Sequence, residues 1–210
     1  MENSKTLTRR QALAAGAALP LAAGAIASGA GPALAGAEMM GASMASISRF
    51  KLGGFEVTTL LAGTRTVEDP QTIFGLSTSA EDFAAAAEAA FIPTDKAQFF
   101  FTPTVVNTGS ELVLFDTGLN AQGITGALAA AGYSPDQVDT VVLTHMHGDH
   151  IGGLNGDAGD TFPNARYITG ATEHNHWSAA GNERFDGKVK PFNDKMTFLD
   201  DGGSVTSGIT

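Results

Sequence analysis

The sequence predicts an α/β domain of the α+β kind, with a mixed sheet and helices packed outside it. Two observations carry that prediction. Paired apolar runs around glycines come first, at residues 50–61, and from residue 104 onward short apolar runs alternate with helical segments. A third observation places the chemistry: a histidine-rich turn directly follows one of the apolar runs.

Taken in order, residues 50–61 read as a hairpin, two short runs either side of Gly53-Gly54. Ser79-Ala80-Glu81-Asp82 is a capping-box pattern opening an alanine-rich helix that ends near Phe91, before Pro93. The run Phe99-Phe100-Phe101 reads as core at a strand edge, with apolar wall of a pocket as the alternative. Residues 104–107 and 112–115 are two strands joined across Gly109-Ser110. A helix over 124–131 is closed by Gly132, and a strand covers 138–144. Beyond the histidine turn come a strand at 166–168, a helix over 172–179 and a strand at 196–199. There is no internal repeat.

The first 35 residues read differently. Lys5, Arg9 and Arg10 form a basic start, a mild Ala/Gly/Leu stretch begins at Ala12, and Ala33-Leu34-Ala35 offers a small-x-small cleavage pattern. Arg9-Arg10, preceded by Thr8 and followed by Gln11 and Leu13, resembles a twin-arginine signal, departing from it at Ala12 and Ala14. Gly16, Pro20, Gly24 and Gly29 interrupt the stretch, which a spanning helix of about 20 apolar residues would not tolerate well. The expectation is therefore a signal peptide over 1–35, a loose linker over 36–47 and one domain over 48–210, periplasmic or secreted, with no membrane anchor once the signal is removed. The formal charge of −10 argues against nucleic acid or anionic membrane as partner. A small-molecule substrate is expected instead, and a homodimer is left open. With no cysteine, the domain relies on its core rather than on disulfides, and no thiolate can serve a metal.

The chemistry concentrates in Thr144-His145-Met146-His147-Gly148-Asp149-His150, which follows Val141-Val142-Leu143 and precedes Gly152-Gly153. Imidazole nitrogen and carboxylate oxygen suit a borderline divalent metal such as zinc. A strand entering a tight loop can turn His145 and His147 toward one ion while Asp149 and His150 face a neighbouring position, as a two-metal hydrolytic site requires. No Ser-His-Asp arrangement is visible. His174 and His176, two apart in Glu173-His174-Asn175-His176-Trp177, are read as part of an exposed helix start, where i and i+2 side chains diverge.

The run matches the H-x-H-x-D-H signature of the metallo-β-lactamase superfamily, which this chain resembles over residues 48–210. Leu112-Val113-Leu114-Phe115-Asp116-Thr117-Gly118 looks like that superfamily's strand and Asp-Thr-Gly turn. Val105-Val106-Asn107-Thr108-Gly109, Ala131-Gly132-Tyr133 and Thr161-Phe162-Pro163-Asn164-Ala165 are similar to the branch holding methyl parathion hydrolase and related lactonases. Gly148 stands where that branch often has proline, which predicts a more mobile loop.

The resemblance implies an αββα sandwich, two sheets between helical layers, with metals at the sheet edge. It implies two divalent ions, zinc first and manganese, cobalt or iron as alternatives. His145 and His147 would hold the first ion, and Asp149 and His150 the second, Asp149 being the residue assigned a catalytic part. Asp116 is expected to accept the spare N–H of a ligand histidine, with a plain turn cap as the alternative. Thr144 would help in the same way, and Trp177 would line a substrate pocket. The activity implied is hydrolysis of a lactone ester or an organophosphate ester by metal-activated water. The rivals are a β-lactam hydrolase of the same fold and a catalytically silent binding module. The superfamily site also uses further histidines and a bridging aspartate, expected beyond residue 210. The chain is accordingly read as a fragment incomplete at its C-terminus, expected to bind metal poorly and to hydrolyse little.

Overall fold

The computed structural model describes residues 45–210. The expected signal peptide and residues 36–44 of the expected linker lie outside the described residues. The first strand, β1 (Ile47–Leu52), already starts at the last residue of that linker.

β1 turns at Gly53, whose φ of 60° suits a two-residue hairpin loop, into β2 (Phe55–Leu60). The next strand, β3 (Gly63–Glu68), pairs antiparallel with β4 (Lys96–Phe101) in a small separate ladder. Between them lies α1 (Ala80–Ala89), capped as expected by the Ser79 hydroxyl, which accepts from the Asp82 amide at 3.1 Å. β5 (Thr104–Asn107) and β6 (Leu112–Phe115) follow, then α2 (Ala121–Ala130), β7 (Thr140–Leu143) and the short α3 (Gly148–Ile151). A two-strand ladder, β8 (Asn155–Gly156) with β9 (Gly159–Asp160), precedes β10 (Arg166–Gly170). Finally come α4 (Ala171–Ala179), α5 (Glu183–Lys188) and β11 (Met196–Leu199).

The main sheet has seven strands in the order β1-β2-β5-β6-β7-β10-β11. β1 to β6 pair antiparallel, while β6, β7, β10 and β11 run parallel. Parallel neighbours need long crossovers, and α2, α3 and α4–α5 supply them. The mixed α/β class with several sheets is thus the class the sequence predicts.

Alternation along the strands sends side chains to opposite faces. Leu112, Leu114, Val141, Leu143 and Tyr167 join the larger core with Ile124 and Leu128 of α2 and Phe185 of α5. Val113, Val142 and Ile168, one residue out of phase, form a second cluster with Val205. Among the described residues, no helix is long and apolar enough to cross a membrane.

Several elements depart from the sequence reading, among them the short α3 and the β8–β9 ladder, which no apolar run announces. α2 begins three residues before 124, because the Asn120 side chain accepts from the Gly123 amide at 2.8 Å and starts the helix ahead of its apolar positions. β3 and α5 were not expected, since neither has a strong apolar period and both are held by what they pack against. In β4 the three phenylalanines alternate. Phe100 is exposed, while Phe99 is stacked between Phe74 and Phe101 at centroid distances of 5.7 and 6.3 Å.

Candidate metal centre

The histidine turn sits at the C-terminal end of β7, beside the end of its parallel neighbour β6, the position where open α/β sheets place their sites. The Asp-Thr-Gly turn after β6 grips it. Thr117, fully buried, donates from its amide and its hydroxyl to the His150 carbonyl at 2.8 and 2.7 Å. Its hydroxyl also accepts from the Gly153 amide at 3.1 Å. A methyl group at Gly152 or Gly153 would collide with the Leu119 or Thr117 carbonyl, so both glycines are required by close backbone approach.

Asp116 is held with φ at 61°, a left-handed backbone uncommon for a residue with a side chain. That conformation aims its carboxylate into the turn. Oδ1 accepts from the Thr144 amide at 2.9 Å, and Oδ2 from the Thr144 hydroxyl at 2.8 Å. His150 Nδ1 lies 2.7 Å from Oδ2. With Nδ1 donating to Asp116, His150 Nε2 carries the free lone pair, and Asp149 Oδ2 lies 3.5 Å from it. The Thr144 hydroxyl also approaches His145 Nδ1 at 3.1 Å.

His145 packs against both other histidines, at ring-centroid distances of 3.8 Å to His150 and 4.6 Å to His147. Burial lowers its pKa below the ordinary 6.5, and repulsion from His150 and His147 lowers it further against the pull of Asp116 and Glu173. A neutral imidazole is the form a metal takes. Among the described residues, no group of three or more of these donors converges on one point as a closed metal set. The chemistry of the donors nevertheless fits a divalent metal: three adjacent imidazoles, one kept neutral, a carboxylate beside them, and a second carboxylate fixing a tautomer.

The structure therefore brings His145, His147, Asp149, His150, Asp116 and Thr144 into one neighbourhood. Trp177 stands beside it, its ring edge-on to His147 at 5.8 Å. Asp149 lies between two clefts. One, of about 170 Å³, is also lined by Asp116, His150, Phe100 and Phe101; the other, of about 210 Å³, by Phe99, Phe101, Arg65 and Arg184. The phenylalanine run thus walls the site.

One expectation is corrected. His174 is buried, not exposed: its Nε2 lies 3.1 Å from Asn193 Oδ1 and its ring packs on Phe185 and Phe198. It is a core histidine, while His176 is exposed on the same helix. Gly148 leaves the room that the Arg184 guanidinium occupies, and a methyl group there would collide with it. Two residues near the site escaped the sequence reading. Glu173 Oε1 accepts from the Met146 amide at 2.9 Å, fixing the turn between the first two histidines, and Arg184 lies across Gly148. Neither belongs to a motif, and each reaches the turn from far along the chain.

The profile of the metallo-beta-lactamase superfamily matches residues 102–209. Exodeoxyribonuclease WalJ of Streptococcus pneumoniae serotype 2 is 32% identical over 84 residues, covering 40% of this chain and 29% of that protein. The expected exclusion of nucleic acid therefore rests on net charge alone. Among solved structures, AidC, a dizinc quorum-quenching lactonase, superposes with a TM-score of 0.64 at 22% identity, covering 77% of this chain and 64% of that one. Hydrolase AbOPH of the beta lactamase superfamily gives 0.67 at 23% identity, with 79% and 64% covered. The chain spans under a third of WalJ and just under two thirds of the two structures. Because the matched half of the chain contains the whole histidine turn and the strands that carry it, this chain belongs to the metallo-beta-lactamase superfamily.

Proposed function

We propose that this chain carries metal ligands of an exported hydrolase acting on a lactone ester or an organophosphate ester of a small molecule. The observation that supports it best is the Asp116 carboxylate, placed by a left-handed backbone to hold both His150 and Thr144. A surface turn rich in histidine has no use for such an arrangement. In this reading His145 and His147 serve one ion, Asp149 and His150 the other, with zinc the metal tested first. When bound, a pair of divalent ions lowers the pKa of coordinated water and polarises a carbonyl or phosphoryl centre.

The chain's own residues have separate tasks. Asp116 accepts the Nδ1 proton of His150 and keeps Nε2 available. Thr144 ties Asp116 to the end of β7. Glu173 holds the Met146 amide, Phe100 and Phe101 provide an apolar wall, and Trp177, which lines neither cleft, packs edge-on against His147. Export rests on Arg9-Arg10 and Ala33-Leu34-Ala35.

The test is an assay of the 210-residue chain and of the product of its complete reading frame. Both are loaded with zinc and offered a lactone, an aryl phosphotriester, a β-lactam and single-stranded DNA. Turnover of the lactone or phosphotriester supports the proposal, whereas preference for the β-lactam or DNA, or no turnover by either protein, overturns it. Cell fractionation and the mass of the mature N-terminus test export, which fails if the protein stays cytoplasmic with residues 1–35 attached.

A further inference from the structure

The cleft on the other side of Asp149 is walled by Phe99, Phe101 and Leu119, and it carries two arginines. Arg65 comes from β3 and Arg184 from α5, so two distant segments bring arginines to one cleft. The chain has only 12 Lys and Arg against 22 Asp and Glu, so acidic partners are plentiful. Arg49, Arg166, Lys190 and Lys195 each lie within 4.0 Å of a carboxylate. Among the described residues, Arg65 and Arg184 have no such partner and donate no hydrogen bond to another residue. Arg184 is also placed closely: its guanidinium lies where any side chain at position 148 would stand. The space left by Gly148 holds a cation directly beside the metal-ligand turn.

Two arginines that line one cleft beside aromatic side chains, unpaired among the described residues, have a specific chemical complement. Guanidinium recognises carboxylate and phosphate oxygens through paired N–H donors, which a neutral group of the same shape cannot match. Phe99, Phe101 and Leu119 favour an apolar arm on the same molecule. We propose that this cleft binds an oxyanion group, carboxylate or phosphate, on a small-molecule substrate and selects such substrates over neutral ones. The proposal rests on the hydrolytic reading of the adjacent turn and adds the charge and shape of what that turn acts on. Asp149 lines the same cleft with one negative charge, against the two positive charges of Arg65 and Arg184.

The test uses metal-free protein, so that coordination to an ion does not contribute, and ligand-observed NMR titration. The probes are hexanoate, hexyl phosphate and neutral hexanamide, with oligothymidylate as a fourth. Hexanoate or hexyl phosphate should bind about tenfold more tightly than hexanamide, the range of a charged hydrogen bond in a partly exposed cleft. The tighter of the two identifies the oxyanion. Arg184→Met and Arg65→Met should each remove most of that preference, and Arg184→Lys, which keeps the charge but not the fork, should keep part of it. Circular dichroism checks that the variants are folded. Equal affinity for hexanamide, a preference unchanged in both Met variants, or binding of oligothymidylate without binding of the small anions overturns the proposal.

A second readout separates this inference from the reading beneath it. With zinc-loaded complete protein, esters bearing a distal carboxylate should show a higher kcat/KM than their neutral amides, and the advantage should vanish in Arg184→Met. Turnover without charge preference removes this inference and leaves the hydrolase. Anion preference without turnover of any ester removes the hydrolase and leaves the cleft.

Discussion

Two histidine pairs of similar appearance lie on either side of β10 in the sequence, and the fold gives them opposite surroundings. In the turn after β7, His145 and His147 are two apart, only partly covered, and face His150, Asp149 and Trp177. In α4, His174 and His176 have the same spacing, yet one is buried between aromatic rings and the other points into solvent. The difference is the backbone beneath them. An extended turn places i and i+2 on one side, whereas a helix rotates them about 200° apart. Spacing of histidines therefore says little until the conformation of the segment is known. The carboxylates around them separate the pairs as well: Asp116, Asp149 and Glu173 attend the turn, while His174 meets an amide, Asn193.

The largest expected effect lies in metal affinity. His145→Ala should weaken zinc binding by about a hundredfold or more, measured against a competing chelator, because the proposed function makes this imidazole a metal donor. Its metal-free stability should barely change, since the wild-type ring is crowded by two others. Asp116→Asn comes next. Asparagine tolerates the left-handed backbone, so the turn persists while the charge on His150 and Thr144 is lost, and zinc affinity should fall about 10–100-fold. Unchanged zinc affinity in Asp116→Asn would mean that the carboxylate is only a turn cap.

His174→Ala should reverse the pattern, costing about 2–3 kcal/mol in urea denaturation while leaving zinc affinity within about twofold. A loss of zinc binding in that variant would erase the contrast between the two pairs. A smaller effect follows from pH. The folded-state pKa of His145 lies below 6.5, so the folded chain takes up that proton less readily than the unfolded one. The contribution is fully present above pH 6.5 and is lost as pH falls from there through the depressed folded value, so the urea midpoint of metal-free protein should decline over that window. In His145→Ala the decline should be shallower. The smallest effect is expected at Gly148→Ala, which should displace the Arg184 guanidinium, leave the fold intact and lower hexyl phosphate affinity about threefold to tenfold.

Much of this was legible without coordinates. The strands at 104–107, 112–115 and 196–199 and the cap at Ser79 follow from apolar runs and local hydrogen bonding, which act over a few residues. The histidine turn was legible for the same reason: its donors are neighbours in sequence. Asp116 was within reach because it belongs to a short motif at the end of its own strand. Glu173 was not, because its role depends on the Met146 amide 27 residues away. Arg184 was hidden twice over, lying on a short helix with weak periodicity and acting through a side chain that Gly148 lacks.

The sequence by itself determined the family, the mixed α/β class and the kind of donors in the turn, because each is written in short contiguous patterns whose physics is local. Tertiary structure alone decided which of the three histidines Asp116 takes, namely His150, that His174 is core, and that two arginines share a cleft with Asp149. Those outcomes depend on which distant segments pack together. The crossovers and the two-faced burial of the sheet settle that packing, and no window of sequence contains it.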